Sequence, residues 1–215
     1  MAYVEELAAR ARALAAPGAR RVIGIAGPPG AGKSTLAAAV VEALDGAAVP
    51  VPMDGFHLAD AELHRLGRAD RKGAPDTFDA YGYAALLRRL REPRPGETVY
   101  APAFERELEQ PLAGALAVPP DAPLVVTEGN YLLLDEPPWR DAVRPLLDEV
   151  WWVAVDGPTR VSRLVARHVR FGRTPAEARA WVLRSDEANA RRVASGRARA
   201  DVVVDLDAGS VRERR

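Results

Sequence analysis

The apolar residues of this chain fall into short continuous runs separated by longer segments with helical spacing. Five runs are short and apolar enough to predict buried strands, at residues 22–26, 48–53, 124–127, 150–155 and 202–206. Helices are predicted around and between them, at residues 3–15, 36–44, 83–91, 139–147, 158–171 and 175–193, the first of which should end at Pro17-Gly18. Strands that alternate with helices predict an α/β fold with a parallel five-stranded sheet flanked by helices.

Three segments add detail to this plan. The second strand contains Pro50 and Pro52, which cannot donate to a sheet ladder and therefore favour an edge position. Residues 72–118 are too long for a simple crossover, and within them residues 98–104 and 114–118 can pair as a small β-structure. Residues 212–215 are predicted to be a frayed, charged tail. Residues 1–215 are therefore interpreted as a single domain with an insertion.

The segment from Gly27 to Thr35 reads Gly-Pro-Pro-Gly-Ala-Gly-Lys-Ser-Thr and matches the P-loop pattern G-x-x-x-x-G-K-[ST]. A strand precedes it and a helix follows it, so backbone N–H groups and a helix N-terminus should face an anion. We expect Lys33 to reach the β- and γ-phosphates and the Ser34 hydroxyl to bind Mg²⁺. The predicted nucleotide-binding residues are Gly27, Gly30, Ala31, Gly32, Lys33, Ser34 and Thr35.

Lysine is nearly absent from the chain. Only Lys33 and Lys72 are present, although lysine and arginine together number 30. The two residue types exchange freely where only a surface charge is needed, but a planar guanidinium does not replace a compact ammonium among phosphates. Both lysines are therefore candidate functional residues.

The composition excludes several classes of function. The formal net charge is zero and the isoelectric point is about 6.9, so no basic field attracts nucleic acid or anionic lipid. The chain has no cysteine, which excludes disulfides, thiolate chemistry and cysteine metal sites. Residues 1–16 predict an amphipathic helix and not a signal peptide, and no apolar run reaches membrane-spanning length. We therefore expect a cytoplasmic protein without nucleic-acid or membrane partners.

Acidic residues follow two of the predicted strands, at the sheet edge where α/β proteins bind ligands. Asp54 follows the second strand, where a carboxylate can accept the proton of an attacking alcohol. Glu128 follows the third strand, at the place of an acid that holds Mg²⁺ through water. The alternative for each is a simple strand-end turn. His57 either contacts substrate or merely begins a helix.

Four arginines on one predicted helix are spaced three, four and three residues apart, so they form one stripe: Arg160, Arg163, Arg167 and Arg170. A basic stripe late in a P-loop chain indicates a lid, at residues 158–193, that closes on ATP and neutralises the transferred phosphoryl group. A solvated helix face is the alternative. Arg163 and Arg167 are the predicted catalytic members.

The insertion should supply the pocket for the molecule that receives the phosphoryl group, the acceptor. Tyr100 and Phe104 are predicted to be its walls, although packing in the core is an equally good interpretation for aromatic residues. Lys72 and Arg106 are predicted to bind an anionic or polyhydroxyl group of the acceptor.

These stretches together resemble the P-loop kinase superfamily of uridine kinase, phosphoribulokinase and bacterial type I pantothenate kinase. The overall length and the Phe104-Glu105-Arg106 stretch resemble the small bacterial fructose-transport-system kinase-like proteins. The resemblance rests on residues 27–35, 53–56, 71–79, 101–104 and 128–133 and on the arginine helix. It implies an ATP- and Mg²⁺-dependent kinase of a small-molecule alcohol, with Asp54 as base, Glu128 as the acid near Mg²⁺ and the 160–173 region as lid.

The sequence therefore predicts a phosphotransferase that moves the γ-phosphate of ATP to a hydroxyl of a sugar, a pantothenate-like molecule or a nucleoside. The alternative is a P-loop ATPase that acts as a nucleotide-dependent regulator without an acceptor. Such a switch does not need a large insertion, which favours the kinase. The sequence is also compatible with a homodimer.

Overall fold

The computed structural model describes residues 2–15 and 19–214. Its strands are β1 (Arg21–Ala26), β2 (Ala48–Pro50), β3 (Val99–Glu105), β4 (Gln110–Val118), β5 (Leu124–Gly129), β6 (Glu149–Ala154), β7 (Val202–Asp205) and β8 (Ser210–Glu213). Its α-helices are α1 (Ala2–Leu14), α2 (Lys33–Ala43), α3 (Asp60–Arg65), α4 (Ala80–Arg91), α5 (Gly157–Arg170), α6 (Pro175–Trp181) and α7 (Glu187–Val193). The predicted end of the first helix at Pro17-Gly18 lies outside the described residues.

The central sheet has the strand order β2-β5-β1-β6-β7-β8. The five predicted strands are present and parallel, and β2 occupies the edge that its prolines predict. The sheet also has a sixth strand, because β8 turns back and pairs antiparallel with β7, placing Arg212 opposite Val203. The prediction of a frayed tail from residue 212 was therefore wrong for residues 212 and 213, which belong to β8.

Alternate side chains of the sheet enter two separate hydrophobic clusters, one on each face. On β1, Ile23 and Ile25 pack with α1 and α2, whereas Val22 packs with α4 and the aromatic residues around Trp139. Every residue of β5 is buried, as expected for a central parallel strand covered by helices on both faces. Packing on both faces of the sheet fixes the position of the strand ends, which carry the polar residues.

Helix interruptions account for most differences from the predicted elements. The predicted helix 175–193 is divided into α6 and α7 by a π-helical turn at Val182–Asp186. The predicted helix 139–147 is a π-helical turn, Trp139–Val143, followed by a 3₁₀ turn, Arg144–Leu146. Helix α3 was not predicted. Within residues 2–15 and 19–214, no helix is long and apolar enough to cross a bilayer.

The insertion contains a hairpin that is separate from the central sheet. Its strands β3 and β4 pair with each other as predicted, in antiparallel orientation, and pack on the 3₁₀ turn Met53–Phe56 that follows β2. The packing is close, since a Cβ atom at Gly55 would lie 2.3 Å from the carbonyl oxygen of Pro102. The hairpin is thereby held directly beside Asp54.

Candidate active site

A cleft of about 530 Å³ lies where the P-loop, the strand ends, the insertion and the arginine helix meet. Four separate parts of the chain contribute to its walls, as expected for a site at the carboxyl ends of parallel strands. The predicted site residues that line it are Gly30, Lys33, Ser34, Asp54, His57, Lys72, Phe104, Arg106, Glu128 and Arg167. The structure therefore brings most of the sequence candidates into one cavity.

The P-loop depends on two glycines with left-handed backbone angles. Gly30 has φ of +77° and Gly32 has φ of +96°, a region that residues with a Cβ rarely adopt. Gly30 also packs against α5, because a Cβ there would lie 2.8 Å from the carbonyl oxygen of Arg160 and 2.7 Å from the Cγ of Leu164. The loop and the first turns of α5 are thus in direct contact.

The ammonium of Lys33 is held inside the cleft wall by two acceptors. Its Nζ donates to the carbonyl oxygen of Pro28 at 3.1 Å and to Oδ1 of Asn130 at 2.6 Å. Burial lowers the pKa of Lys33, while the negative charges of Glu128 and Asp54 oppose this effect. Asn130 was not among the predicted site residues, although its place after the acidic end of β5 was a usable signal.

Ser34 and Glu128 form an oxygen-rich pair at the start of α2. The Ser34 Oγ donates to Oε1 of Glu128 at 2.9 Å, and burial followed by the charge of Asp54 raises the pKa of the Glu128 carboxyl. Across residues 2–15 and 19–214, no group of three or more His, Cys, Asp or Glu side chains could hold a metal unaided. One hydroxyl and one carboxylate nevertheless suit Mg²⁺, which keeps several waters and binds mainly through the phosphates of its nucleotide.

Asp54 faces both the P-loop and the insertion. Its Oδ2 accepts a hydrogen bond from Nη2 of Arg106 at 3.1 Å. The carbonyl oxygen of Asp54 lies 2.8 Å from Nδ1 of His57, and because a carbonyl only accepts, Nδ1 carries the hydrogen. Burial lowers the pKa of His57, so its other nitrogen, Nε2, is a hydrogen-bond acceptor.

Aromatic rings form the wall of the cleft on the insertion side. The His57 ring lies between those of Phe78 and Phe104, with centroid distances of 4.0 Å and 4.8 Å. Tyr100 is not part of this wall, because its side chain is 59% exposed and does not line the cleft. A register shift of the hairpin between Ala101 and Ala103 separates Tyr100 from Phe104, so strand alternation does not place the two aromatic side chains on one face.

The two predicted acceptor cations have different surroundings. The Lys72 Nζ donates to Oδ1 of Asp60 and to the carbonyl oxygen of Glu109, both at 2.6 Å. Among the residues that the structure describes, Asp54 is the one hydrogen-bond acceptor of the Arg106 guanidinium. Both cations lie over the Phe104 ring, at 5.5 Å for Lys72 and 5.3 Å for Arg106. Lys72 therefore joins α3 to the hairpin of the insertion, whereas the free donors of Arg106 face the cleft.

The arginine stripe of α5 divides into four different environments. Arg167 lines the cleft, and burial together with the positive charge of Arg106 lowers its pKa. Arg160 is buried, donates to the carbonyl oxygen of Pro29 at 3.1 Å and pairs with Glu187. Arg163 is exposed near Gly32 but does not line the cleft. Arg170 is exposed beside Phe171. Of the two predicted catalytic arginines, only Arg167 lines the cleft.

Comparison with known proteins identifies the family of this cleft. Residues 22–207 match the model described as the phosphoribulokinase / uridine kinase family. The chain belongs to this family. It is therefore a P-loop kinase of the uridine kinase and phosphoribulokinase type, with the ATP-binding site that such a kinase implies.

Three relatives show how far the similarity extends across this kinase. It is 36% identical to a candidate uridine kinase of Schizosaccharomyces pombe over 78% of this chain and 74% of that protein. It is 34% identical to the uncharacterized protein YggC of Escherichia coli over 88% and 79% of the two chains. The crystal structure of a candidate fructose transport system kinase from Silicibacter sp. TM1040 superposes with a TM-score of 0.85 at 36% identity, over 93% and 98% of the two chains.

Several residues that line the cleft of this kinase were not among the predicted site residues. They come from α3, from the position after β5 and from α5 to α7: Asp60, His64, Asn130, His168, Arg173, Trp181, Asp186 and Asn189. The Arg173 guanidinium lies 4.2 Å from the Trp181 ring centroid, and His168 Nε2 lies 3.3 Å from Oδ2 of Asp186. Only the tertiary fold brings these segments beside the P-loop.

Proposed function

We propose that this kinase transfers the γ-phosphate of ATP to a hydroxyl of a small molecule in a Mg²⁺-dependent reaction. The observation that carries the proposal is the position of Asp54. Its carboxylate shares one cleft with the P-loop Lys33 and with the Ser34–Glu128 pair, and it lies at the boundary with the insertion. A nucleotide bound to the P-loop and an alcohol bound to the insertion would meet beside this carboxylate.

In the proposed reaction, the alcohol oxygen forms a bond to the γ-phosphorus while the bond from that phosphorus to the β–γ bridging oxygen breaks. Asp54 orients the alcohol and accepts its proton, and ADP leaves. Lys33 places a positive charge on the β- and γ-phosphates, and Arg167 meets the charge that develops on the transferred group. The products are ADP and a phosphate monoester.

Mg²⁺ would be held by the Ser34 hydroxyl and, through water, by the Glu128 carboxylate. When bound, the ion neutralises phosphate charge as the bond to the leaving group breaks. The hydrogen bond between Ser34 and Glu128 holds the two oxygen donors next to each other before the ion arrives. We also propose a cytoplasmic enzyme whose partner is a small molecule and not nucleic acid or a membrane, in line with its zero net charge.

The test is ADP formation with ATP and Mg²⁺ in the presence of sugars, sugar acids, polyols, nucleosides and pantothenate. At least one alcohol should stimulate ADP release and appear as a phosphate monoester by ³¹P NMR. Asp54→Asn should abolish that stimulation. ATP hydrolysis that no alcohol stimulates would contradict the proposal and favour a nucleotide-dependent regulator.

A further inference from the structure

The contact between Arg106 and Asp54 occupies the group that must accept the proton of the alcohol. Nη2 of Arg106 lies 3.1 Å from Oδ2 of Asp54, and the two side chains are 40% and 24% exposed. The guanidinium thus takes up one of the two carboxylate oxygens. Loosening this ion pair would free Oδ2 to accept the hydroxyl hydrogen of the alcohol.

Arg106 has unused capacity to bind an anion. It carries five N–H donors in a planar fork, and within residues 2–15 and 19–214 the only hydrogen bond of its guanidinium is the one to Asp54. It stacks over Phe104 and lies on the insertion side of the cleft. A carboxylate or phosphate group would fit this fork with two parallel hydrogen bonds, which is a stronger arrangement than the single bond to Asp54.

The other cations that line the cleft have surroundings different from those of Arg106. Lys72 is already bonded to Asp60 and Glu109, so its charge is compensated by the protein. Lys33 lies on the nucleotide side, bonded to Asn130 and Pro28. Arg167 belongs to α5 and is proposed to meet the transferred group, and Arg173 lies against the Trp181 ring. On the insertion side of the cleft, Arg106 is therefore the cation best placed to bind an anionic group of the acceptor.

From this arrangement we propose that Arg106 senses the acceptor: an alcohol bearing an anionic group takes Arg106 from Asp54 and thereby frees the catalytic carboxylate. The inference rests on the proposed kinase function. Because the two side chains are adjacent in the cleft, the hydroxyl and the anionic group should belong to one small molecule, such as a hydroxy acid or a sugar phosphate.

The first test compares acceptors in matched pairs: gluconate with glucitol, glycerate with glycerol, and ribose 5-phosphate with ribose. The native enzyme should prefer the anionic member of at least one pair. In Arg106→Ala that preference in kcat/KM should fall by about tenfold to a hundredfold, the range for a lost hydrogen bond to a charged group. KM for ATP should change little. Arg106→Lys should restore only part of the preference, since an ammonium lacks the fork.

The second test needs no knowledge of the acceptor. Hydrolysis of ATP without any alcohol should be faster in Arg106→Ala than in the native enzyme, because the freed Asp54 can activate water. Propionate or methylphosphonate, which carry the anion but no hydroxyl, should stimulate hydrolysis by the native enzyme and not by Arg106→Ala, with potassium chloride at equal ionic strength as reference. Arg140→Ala, which removes an exposed arginine paired with Asp141, is the matched control and should behave as native.

These outcomes separate the sensor from the kinase function itself. An enzyme that phosphorylates a neutral alcohol best, with equal preference in Arg106→Ala, would overturn the sensor and leave the kinase function intact. Equal basal hydrolysis in both proteins, without a response to either anion, would also overturn it. A rise of KM for ATP alone in Arg106→Ala would show that Arg106 binds the nucleotide.

Discussion

Replacing Arg160 by methionine should destabilise the fold and not act on the chemical step directly. Arg160 belongs to the same helical stripe as the cleft residue Arg167, yet its side chain is only 7% exposed and pairs with Glu187, which is 24% exposed. It also donates to the carbonyl oxygen of Pro29 in the P-loop. Arg160→Met keeps most of the volume and removes both interactions.

The expected loss follows from these exposures. Breaking a fully buried ion pair costs about 3–5 kcal/mol and a surface pair about 0–1 kcal/mol, so this partly buried pair should contribute about 2 kcal/mol. The unpaired carbonyl of Pro29 adds about 1 kcal/mol. The free energy of unfolding should therefore fall by about 3 kcal/mol, which for a chain of this length lowers Tm by roughly 6–12 °C.

Urea denaturation followed by circular dichroism measures this loss, with Arg170→Met as the control from the exposed side of the same helix. The control should stay within about 0.5 kcal/mol of the native protein. Replacing Glu187 by leucine in the Arg160→Met background should recover part of the stability, because no carboxylate is then left unpaired. A loss under about 1 kcal/mol together with a large fall in kcat would refute this reasoning and make Arg160 a catalytic residue.

Three further predictions concern the cleft. Lys33→Ala should remove nearly all phosphoryl transfer without unfolding the protein, because the charge on the phosphates is lost; near-normal turnover by a folded variant would contradict the P-loop assignment. Asp54→Asn should lower kcat by roughly a hundredfold or more with little change in ATP affinity, as read by steady-state kinetics and nucleotide titration; an unchanged kcat would leave Asp54 as a turn residue. Arg167→Ala should lower kcat by about a hundredfold, whereas Arg163→Ala and Arg170→Ala should not; equal small effects at all three would indicate a solvated helix face.

The parts of the fold that depend on local pattern were predictable. The P-loop, the five parallel strands and the hairpin each have a signal contained within a few residues, such as the glycine spacing of the loop or the apolar run of β5. The edge position of β2 followed from Pro50 and Pro52, because a missing N–H has the same consequence in any fold. Such features need no knowledge of distant contacts.

The parts that depend on tertiary contacts were not predictable. Strand β8 has only four residues, two of which are the charged Arg212 and Glu213, so it lacks the apolar run that predicts a strand. It pairs with β7 at the sheet edge, where charged residues are common. The stripe of α5 has one periodicity but four environments: Arg160 bonds to Glu187 and to the Pro29 carbonyl, Arg167 lines the cleft, Arg163 is exposed near Gly32, and Arg170 is exposed beside Phe171. The position of Asn130 after β5 was visible in the sequence, but its hydrogen bond to Lys33 depends on the fold.

The close contact at Gly55 has a consequence for the redesign of this enzyme. Because any side chain at Gly55 would collide with the Pro102 carbonyl, the turn that carries Asp54 and the hairpin that carries Arg106 fit together as a matched pair. A chimera that imports only residues 99–118 from a relative would carry a foreign backbone against this turn and shift the carboxylate. To transfer the acceptor specificity of a relative, residues 53–56 and the hairpin should therefore be exchanged together. Single substitutions at the hairpin tip leave the fit between the turn and the hairpin unchanged.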